Sequence, residues 1–367
     1  MDHIVDIKKS VEALDKFDIG KKIIGCVPYG SGHINNTFLV TSVTDDKKTH
    51  QYILQKVNRN VFRHPDQVIA NIEKVTEHLM GKVENPKRNT LNLIKSKDGK
   101  NYCITSDSEY WRMYRFIDNS LCLDAPRNTD DFYESAIAFG QFQQYLSDFD
   151  ATQLYEVIRD FHNTPKRYEA FLEAVKKDPI GRAKDVQDEI KFVMDREEFT
   201  HVLLDSYASG KLPLRVTHND TKINNVMLSA EGKALCVIDL DTVMPGFSVT
   251  DFGDAIRFGA NTAAEDEKDL SKVNLDLNLY EIFTKGYIKG CNNALTETEL
   301  EFFPEGAKMM TFECGMRFLT DYLLGDTYFK TNYPEHNLDR CHTQFKLVEC
   351  MEKHWQKLKD ISMEAAK

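Results

Sequence analysis

Midway along the chain, a set of acidic, amide and basic side chains occurs in an order that suits phosphoryl transfer. Thr217-His218-Asn219-Asp220-Thr221-Lys222-Ile223-Asn224-Asn225 is followed by Val237-Ile238-Asp239-Leu240-Asp241. Such chemistry needs one carboxylate to accept a hydroxyl proton. It also needs an amide oxygen and a second carboxylate to hold Mg²⁺ on the phosphates. Asp220 is the candidate base, and Asn225 and Asp239 are the candidate metal ligands, with Asp241 as helper. His218 reads as a hydrogen-bonding brace of the loop rather than a chemical participant.

The intervening residues explain how the set can converge. Val226-Met227-Leu228 is apolar, Ala230-Glu231-Gly232-Lys233 can turn, and Ala234 to Ile238 is apolar again. Two short strands joined this way return Asp239 to the side of Asn225. Asp251-Phe252-Gly253 spells a protein-kinase metal motif, but it lies beyond the Pro245-Gly246 break. A hairpin cannot bring it back at the right point. Asp251 and Asp254 are therefore expected to cap backbone N–H groups under the catalytic loop, or to start the following helix.

The elements that must position this set fall into two lobes, 1–118 and 119–367. Residues 23–29, 37–43 and 52–57 read as strands, and 66–80 as a helix with Val68, Ile69, Ile72, Val75 and Leu79 on one face. Gly30-Ser31-Gly32 turns between the first two strands, where glycine lets a backbone flap approach phosphates. A plain hairpin turn has the same composition. Lys56 could reach the phosphates or could be a solvated lysine at a strand end. Residues 110–118 read as the strand leaving the small lobe, with a hinge near 117–122. Gly30, Ser31, Gly32, Asn35, Lys56 and Arg115 form the candidate nucleotide-binding set. Beyond the hinge the pattern is mainly helical, over 130–148, 166–176, 183–208, 267–289, 296–329 with an interruption, and 338–366.

Composition sets limits on function. The chain has 367 residues, 41% of them hydrophobic and 29% charged, as expected of a globular protein with two lobes. A formal charge of −11 argues against general nucleic-acid binding but not against a nucleotide held by local cations. Eight scattered cysteines without a Cys-x-x-Cys pair disfavour zinc and a disulfide framework. Met1 to Asp6 has no apolar signal core, and no apolar run approaches membrane-spanning length. A cytoplasmic protein is expected, acting as a monomer on small molecules without nucleic-acid or membrane partners.

The chain resembles the aminoglycoside phosphotransferase and choline kinase-like superfamily, and within it the N-acetylhexosamine 1-kinases. The resemblance rests on Tyr29 to Asn35, Val216 to Asn225, Ile238 to Gly246, Asp251 to Ala260, Glu313 to Phe318, Gly325 to Phe329 and Tyr333 to Leu338. It implies an α+β, protein-kinase-like bilobal fold with a small β-rich N-lobe and a larger, mainly helical C-lobe. It also implies ATP- and Mg²⁺-dependent phosphorylation of the anomeric hydroxyl of N-acetylglucosamine or N-acetylgalactosamine. By position, Asp220 is the base beside the sugar, Lys222 neutralises the transferring phosphoryl group, and Asn225 and Asp239 bind the metal. His33, Phe258, Arg317 and Tyr328 match positions around the sugar. Read from the residues alone, Arg317 and Tyr328 sit among Phe and Leu and would be taken as packing. A choline or aminoglycoside kinase and a non-catalytic nucleotide-binding protein are the competing readings.

Overall fold

The computed structural model describes residues 9–20, 22–30, 34–44 and 47–367. The small lobe is an antiparallel sheet of β1 (Lys22–Pro28), β2 (Asn36–Val43), β3 (Thr49–Lys56), β4 (Cys103–Ile104) and β5 (Tyr110–Arg115), in the order β1-β2-β3-β5-β4. A helix α1 over 9–14 covers its outer face. There Ala13, Leu14 and Phe17 pack with Phe38, Val40, Tyr52, Leu54, Trp111 and Met113. The opposite face meets α2 (Pro65–Met80), whose Val68, Ile69, Ile72, Val75 and Leu79 are all buried. The short α3 (Pro86–Asn89) follows. The chain then crosses to β6 (Ser120–Cys122), which pairs with a strand of the large lobe.

The large lobe contains α4 (Thr129–Tyr145), α5 (Thr164–Lys177), α6 (Gln187–Met194), α7 (Glu197–Ala208), β7 (Arg215–Thr217), β8 (Val226–Ser229), β9 (Ala234–Val237), β10 (Met244–Gly246) and α8 (Ser248–Gly259). It continues with α9 (Leu277–Cys291), α10 (Glu297–Glu301), α11 (Phe303–Leu324), α12 (His336–Lys353) and α13 (Trp355–Ala365). The result is the kinase-like bilobal fold, a small antiparallel sheet beside a larger helical lobe. All eight cysteines are free thiols. Among the described residues no helix is long and apolar enough to cross a membrane.

Helix existence follows the periodicity, but several boundaries differ from expectation. The segment 183–208 is split: α6 stops near Arg196, whose guanidinium bonds the Phe192 carbonyl at 2.9 Å and reaches Glu352 at 2.8 Å. An apolar stripe continues across the break, which hides it from a pattern count. The helix expected from 267 begins at Leu277, because the Asp276 carboxylate caps the N–H groups of Asn278 and Leu279. Gly325, at φ 96°, ends α11 in the left-handed region, and His354 divides α12 from α13.

The Asp251-Phe252-Gly253 motif serves packing as well as capping. Phe252 stacks on Phe303 with ring centres 4.0 Å apart and planes 9° from parallel. A Cβ on Gly253 would fall 2.2 Å from the Gly306 carbonyl oxygen, so the missing side chain lets α8 and α11 cross closely. The catalytic-loop side of α8 is thereby fixed against the longest helix of the lobe.

Candidate active site

The hairpin β8–β9 forms as its sequence requires. Val226 faces Val237, and the Ile238 N–H donates to the Asn225 carbonyl at 2.9 Å. This bond places Asp239 directly after the residue that touches Asn225. Asp239 itself adopts φ 57° and Asn219 φ 64°, the left-handed region that a non-glycine residue enters only when its surroundings hold it there.

Those surroundings are a set of hydrogen bonds converging on the catalytic loop. The Asp251 carboxylate accepts the backbone N–H of both His218 and Asn219 at 2.8 Å, and Gln143 donates to it at 3.1 Å. Asp254 accepts the Thr221 N–H at 3.2 Å. The Asn219 amide donates to the Thr242 carbonyl at 2.8 Å, and the Thr242 hydroxyl to the His218 carbonyl at 2.6 Å. His218, fully buried, lies 2.8 Å from the Ile238 carbonyl through Nε2, which must carry the proton because a carbonyl only accepts. Its Nδ1 then accepts the Asp220 N–H at 3.3 Å. His218 braces the loop, and the decoy motif's aspartate lies beneath it rather than in the cleft.

Asp220 is half-buried, with both oxygens engaged. Oδ2 accepts from the Asn225 amide at 2.8 Å, and Oδ1 lies 2.9 Å from the Lys222 ammonium. Burial would lower the Lys222 pKa, but Asp220 and Asp254 outweigh it and hold the group protonated. Lys222 also stands 5.0 Å from the centre of the Phe258 ring, and Arg257 stands 5.1 Å from it. Phe258 is half exposed, as a ring offering its face to a bound molecule would be.

The metal-ligand candidates leave oxygens available. Asn225 commits its NH₂ to Asp220, so its carbonyl oxygen is the unspent end. Asp239 opens into the cleft, and no donor among the described residues bonds its carboxylate. Withdrawal from bulk water, then Asp241 and Asp220, push its pKa up to about 6. Crowded carboxylate and amide oxygens of this kind suit a hard divalent cation such as Mg²⁺. Among the described residues no group of three or more His, Cys, Asp or Glu side chains is arranged to hold a metal. A cation shared with phosphate oxygens does not need one.

Asp241, the possible metal helper, is engaged from the small lobe. It is buried, its Oδ1 is 2.5 Å from Arg112, and its Oδ2 accepts from Asn35 at 2.6 Å. Asn35, placed in the nucleotide set, spends its amide on Asp241 and its Oδ1 on the Asn58 N–H at 3.0 Å. Gly30 adopts φ 82°, the conformation its glycine permits, while Ser31, Gly32 and His33 lie outside the described residues. Arg115 ends β5 opposite Tyr52 and is exposed. Lys56 pairs with Asn36 and Trp111, so alternation puts it on the α1-covered face with Tyr52 and Leu54.

Beyond Phe258 lies a second group. Arg317 lies 5.9, 5.8 and 5.4 Å from the rings of Phe161, Tyr328 and Phe329. Tyr328 is 72% exposed, which removes it from the core. The loop carrying it is built on buried Asp321, whose carboxylate accepts the N–H groups of Thr327, Tyr328 and Phe329 at 2.8–2.9 Å. Beneath Arg317, buried Glu313 bonds His162 at 3.0 Å and Thr164 at 2.6 Å. Burial would raise the Glu313 pKa, but His162 and Arg317 outweigh it. Burial pushes the Cys314 thiol up to about 11, against the pull of Arg257 and Arg317, which links this group to the Phe258 side. Arg112, Asp321, Glu313 and His162 were not singled out from sequence. For Arg112, Asp321 and Glu313 the signal was a charged residue inside an apolar run, which equally marks a surface position, while His162 sits in a polar stretch that carries no signal.

Comparison with known proteins gives the family and the fold. The model of the phosphotransferase enzyme family matches residues 25–276. Among solved structures, a microcompartment-associated aminopropanol kinase superposes with a TM-score of 0.64 at 15% identity, covering 97% of this chain and 98% of that one. An amicoumacin kinase in complex with AMP-PNP, Ca²⁺ and its ligand gives 0.59 at 13%, covering 96% and 94%. A choline kinase from Cryptosporidium parvum Iowa II gives 0.55 at 14%, covering 96% of each. These likenesses are of fold; the family match extends over both the small-lobe sheet and the catalytic hairpin, and the chain belongs to the phosphotransferase enzyme family.

Proposed function

We propose that the chain transfers the γ-phosphoryl group of ATP to the anomeric C1 hydroxyl of an N-acetylhexosamine, N-acetylglucosamine or N-acetylgalactosamine. Asp220 takes the acceptor proton from a position fixed by Asn225 and the braced loop. Lys222 holds positive charge beside it, where the transferring group gains negative charge. Asn225 and Asp239 would hold Mg²⁺, which neutralises phosphate charge when bound. Gly30, Ser31, Gly32 and Arg115 on the nucleotide side and His33 on the acceptor side complete this reading by sequence position.

The observation that carries the acceptor assignment is Arg317 among three aromatic rings, one of them the exposed Tyr328, on the side of the cleft that holds Phe258. A planar guanidinium fork beside ring faces suits a sugar with an acyl oxygen. Lys222 and Arg257 are paired with Asp220, Asp254 and Glu265, so charge alone does not choose the acceptor, and choline and an aminoglycoside are the second reading that the acceptor panel separates. An anomeric hydroxyl is more acidic than an ordinary alcohol, so a carboxylate base suffices. All of Asp220, Asn225 and Asp239 are present, against a non-catalytic role. The eight free thiols fit a reducing cytoplasm.

Nucleotide consumption with a panel of N-acetylhexosamines, glucose, galactose, choline and kanamycin tests the reading. Acceptor-dependent ADP release confined to the N-acetylhexosamines is expected. Release with choline or kanamycin alone would discard the sugar assignment.

A further inference from the structure

Among the described residues, Arg112 of the small lobe reaches into the region of the metal carboxylates. Cross-strand pairing sets Thr37, Gln55 and Arg112 in one row across β2, β3 and β5. This row lies on the face opposite Trp111 and Lys56. The row is bonded side chain to side chain. Gln55 donates to Thr37 at 3.1 Å and accepts from Arg112 Nε and Nη2 at 3.1 and 2.9 Å. Arg112 is 1% exposed, and its guanidinium also stands 5.3 Å from the Tyr114 ring. From that fixed base it reaches Asp241, two residues past Asp239, at 2.5 Å. Asn35 grips the other oxygen of the same carboxylate.

Three features make this more than a stabilising ion pair. Both groups holding Asp241 come from the small lobe, while Asp241 belongs to the large lobe. One of them, Asn35, immediately precedes β2, and its amide oxygen is fixed by the Asn58 N–H. Asp241 is thereby turned to the small-lobe sheet, while Asp239, two residues before it, stays exposed. Asp239 is held in a left-handed conformation by the loop whose next turn Asp241 anchors.

We propose that Arg112 is a positioning residue for the metal-carboxylate loop, clamping Asp241 to the small-lobe sheet so that Asp239 is presented to Mg·ATP. The proposal rests on the phosphotransferase reading of Asp239. It assigns to Arg112 of β5 the inter-lobe role that strand position alone would have suggested for Lys56.

The test measures Mg·ATP binding by calorimetry without acceptor, alongside the melting temperature of the ligand-free protein and the acceptor KM. The paired variant Arg112→Met/Asp241→Asn removes both charges and leaves no lone buried ion. It should melt near the wild type yet bind Mg·ATP about tenfold or more weakly, the range typical of lost outer partners of metal ligands. Its acceptor KM should stay within about twofold, because Arg112 belongs to the small-lobe sheet while Arg317 and Tyr328 belong to α11 and the loop after it. Arg112→Lys keeps the charge but not the fork, and should fold normally with an intermediate loss. Wild-type affinity for Mg·ATP in either variant would overturn the proposal and leave the pair a stability element. A parallel loss of acceptor affinity would overturn it too. Wild-type protein that bound no Mg·ATP would instead overturn the phosphotransferase site itself.

Discussion

Asp251 accepts the backbone N–H groups of two consecutive residues, His218 and Asn219, at 2.8 Å each, and so ties the first turn of α8 to the loop that carries Asp220. Asp251→Ala would orphan both donors inside the protein. A loss of roughly 2–4 kcal/mol at pH 7 is expected from two unsatisfied buried groups, together with most of the turnover. Thermal or denaturant unfolding checks the first, and steady-state kinetics the second.

The same residue gives a pH dependence. Burial pushes the Asp251 carboxyl up to about 6 from its ordinary 3.8, ahead of the opposing pull of His218 and the two N–H bonds. A raised carboxyl binds its proton more tightly in the folded state. Its contribution is therefore fully present below the unfolded value and is lost as pH rises through about 6. The stability gap between wild type and Asp251→Ala should widen on going from pH 7 to pH 5. Melting curves at both values would show it, and a gap that narrows toward pH 5 contradicts the assignment.

Asp220→Asn keeps the shape of the side chain but removes the proton acceptor. Turnover should fall by roughly 10²–10⁴, the usual worth of a positioned base, while Mg·ATP binding stays within a few-fold. Near-normal turnover would remove Asp220 from the chemistry.

Arg317→Ala should raise the acceptor KM by roughly tenfold or more, as expected for loss of a charged hydrogen-bond donor, and leave the nucleotide KM unchanged. An unaltered acceptor KM in a destabilised protein would make Arg317 a packing residue.

Asp321→Ala tests the loop that presents Tyr328. Three N–H groups would lose their acceptor, and Asn337 would lose its partner at 2.9 Å. The acceptor KM should rise as for Arg317→Ala, by roughly tenfold, while Mg·ATP affinity is kept. Loss of both affinities together would place Asp321 in the general fold instead.

Much of the catalytic hairpin was legible because its logic is local. Apolar runs, a glycine-containing turn and ordered carboxylates lie within one short stretch, and spacing kept Asp251 out of the metal role while leaving open whether it caps the loop or starts α8; it does both. The bilobal fold was legible from strands followed by helices. What sequence hid is long-range. Nothing near Arg112 or Asp241 reveals that strand register will bring them together across the lobes. Which face of β3 Lys56 occupies follows from its pairing with Trp111, a register that the local sequence does not show. Glu313 and Asp321 look like ordinary helix residues until α11 is packed between α5, α8 and α12. The breaks at Arg196 and Asp276 come from side-chain bonds to backbone and to α12, which leave the apolar period unbroken.

The most direct test of the central claim is phosphorus NMR of the purified protein with ATP, Mg²⁺ and N-acetylglucosamine or N-acetylgalactosamine. The account predicts a sugar-phosphate resonance coupled to the anomeric proton, appearing as the γ-phosphate signal of ATP declines. A product phosphorylated at another hydroxyl, or no sugar phosphate beside active transfer to choline or kanamycin, would contradict it.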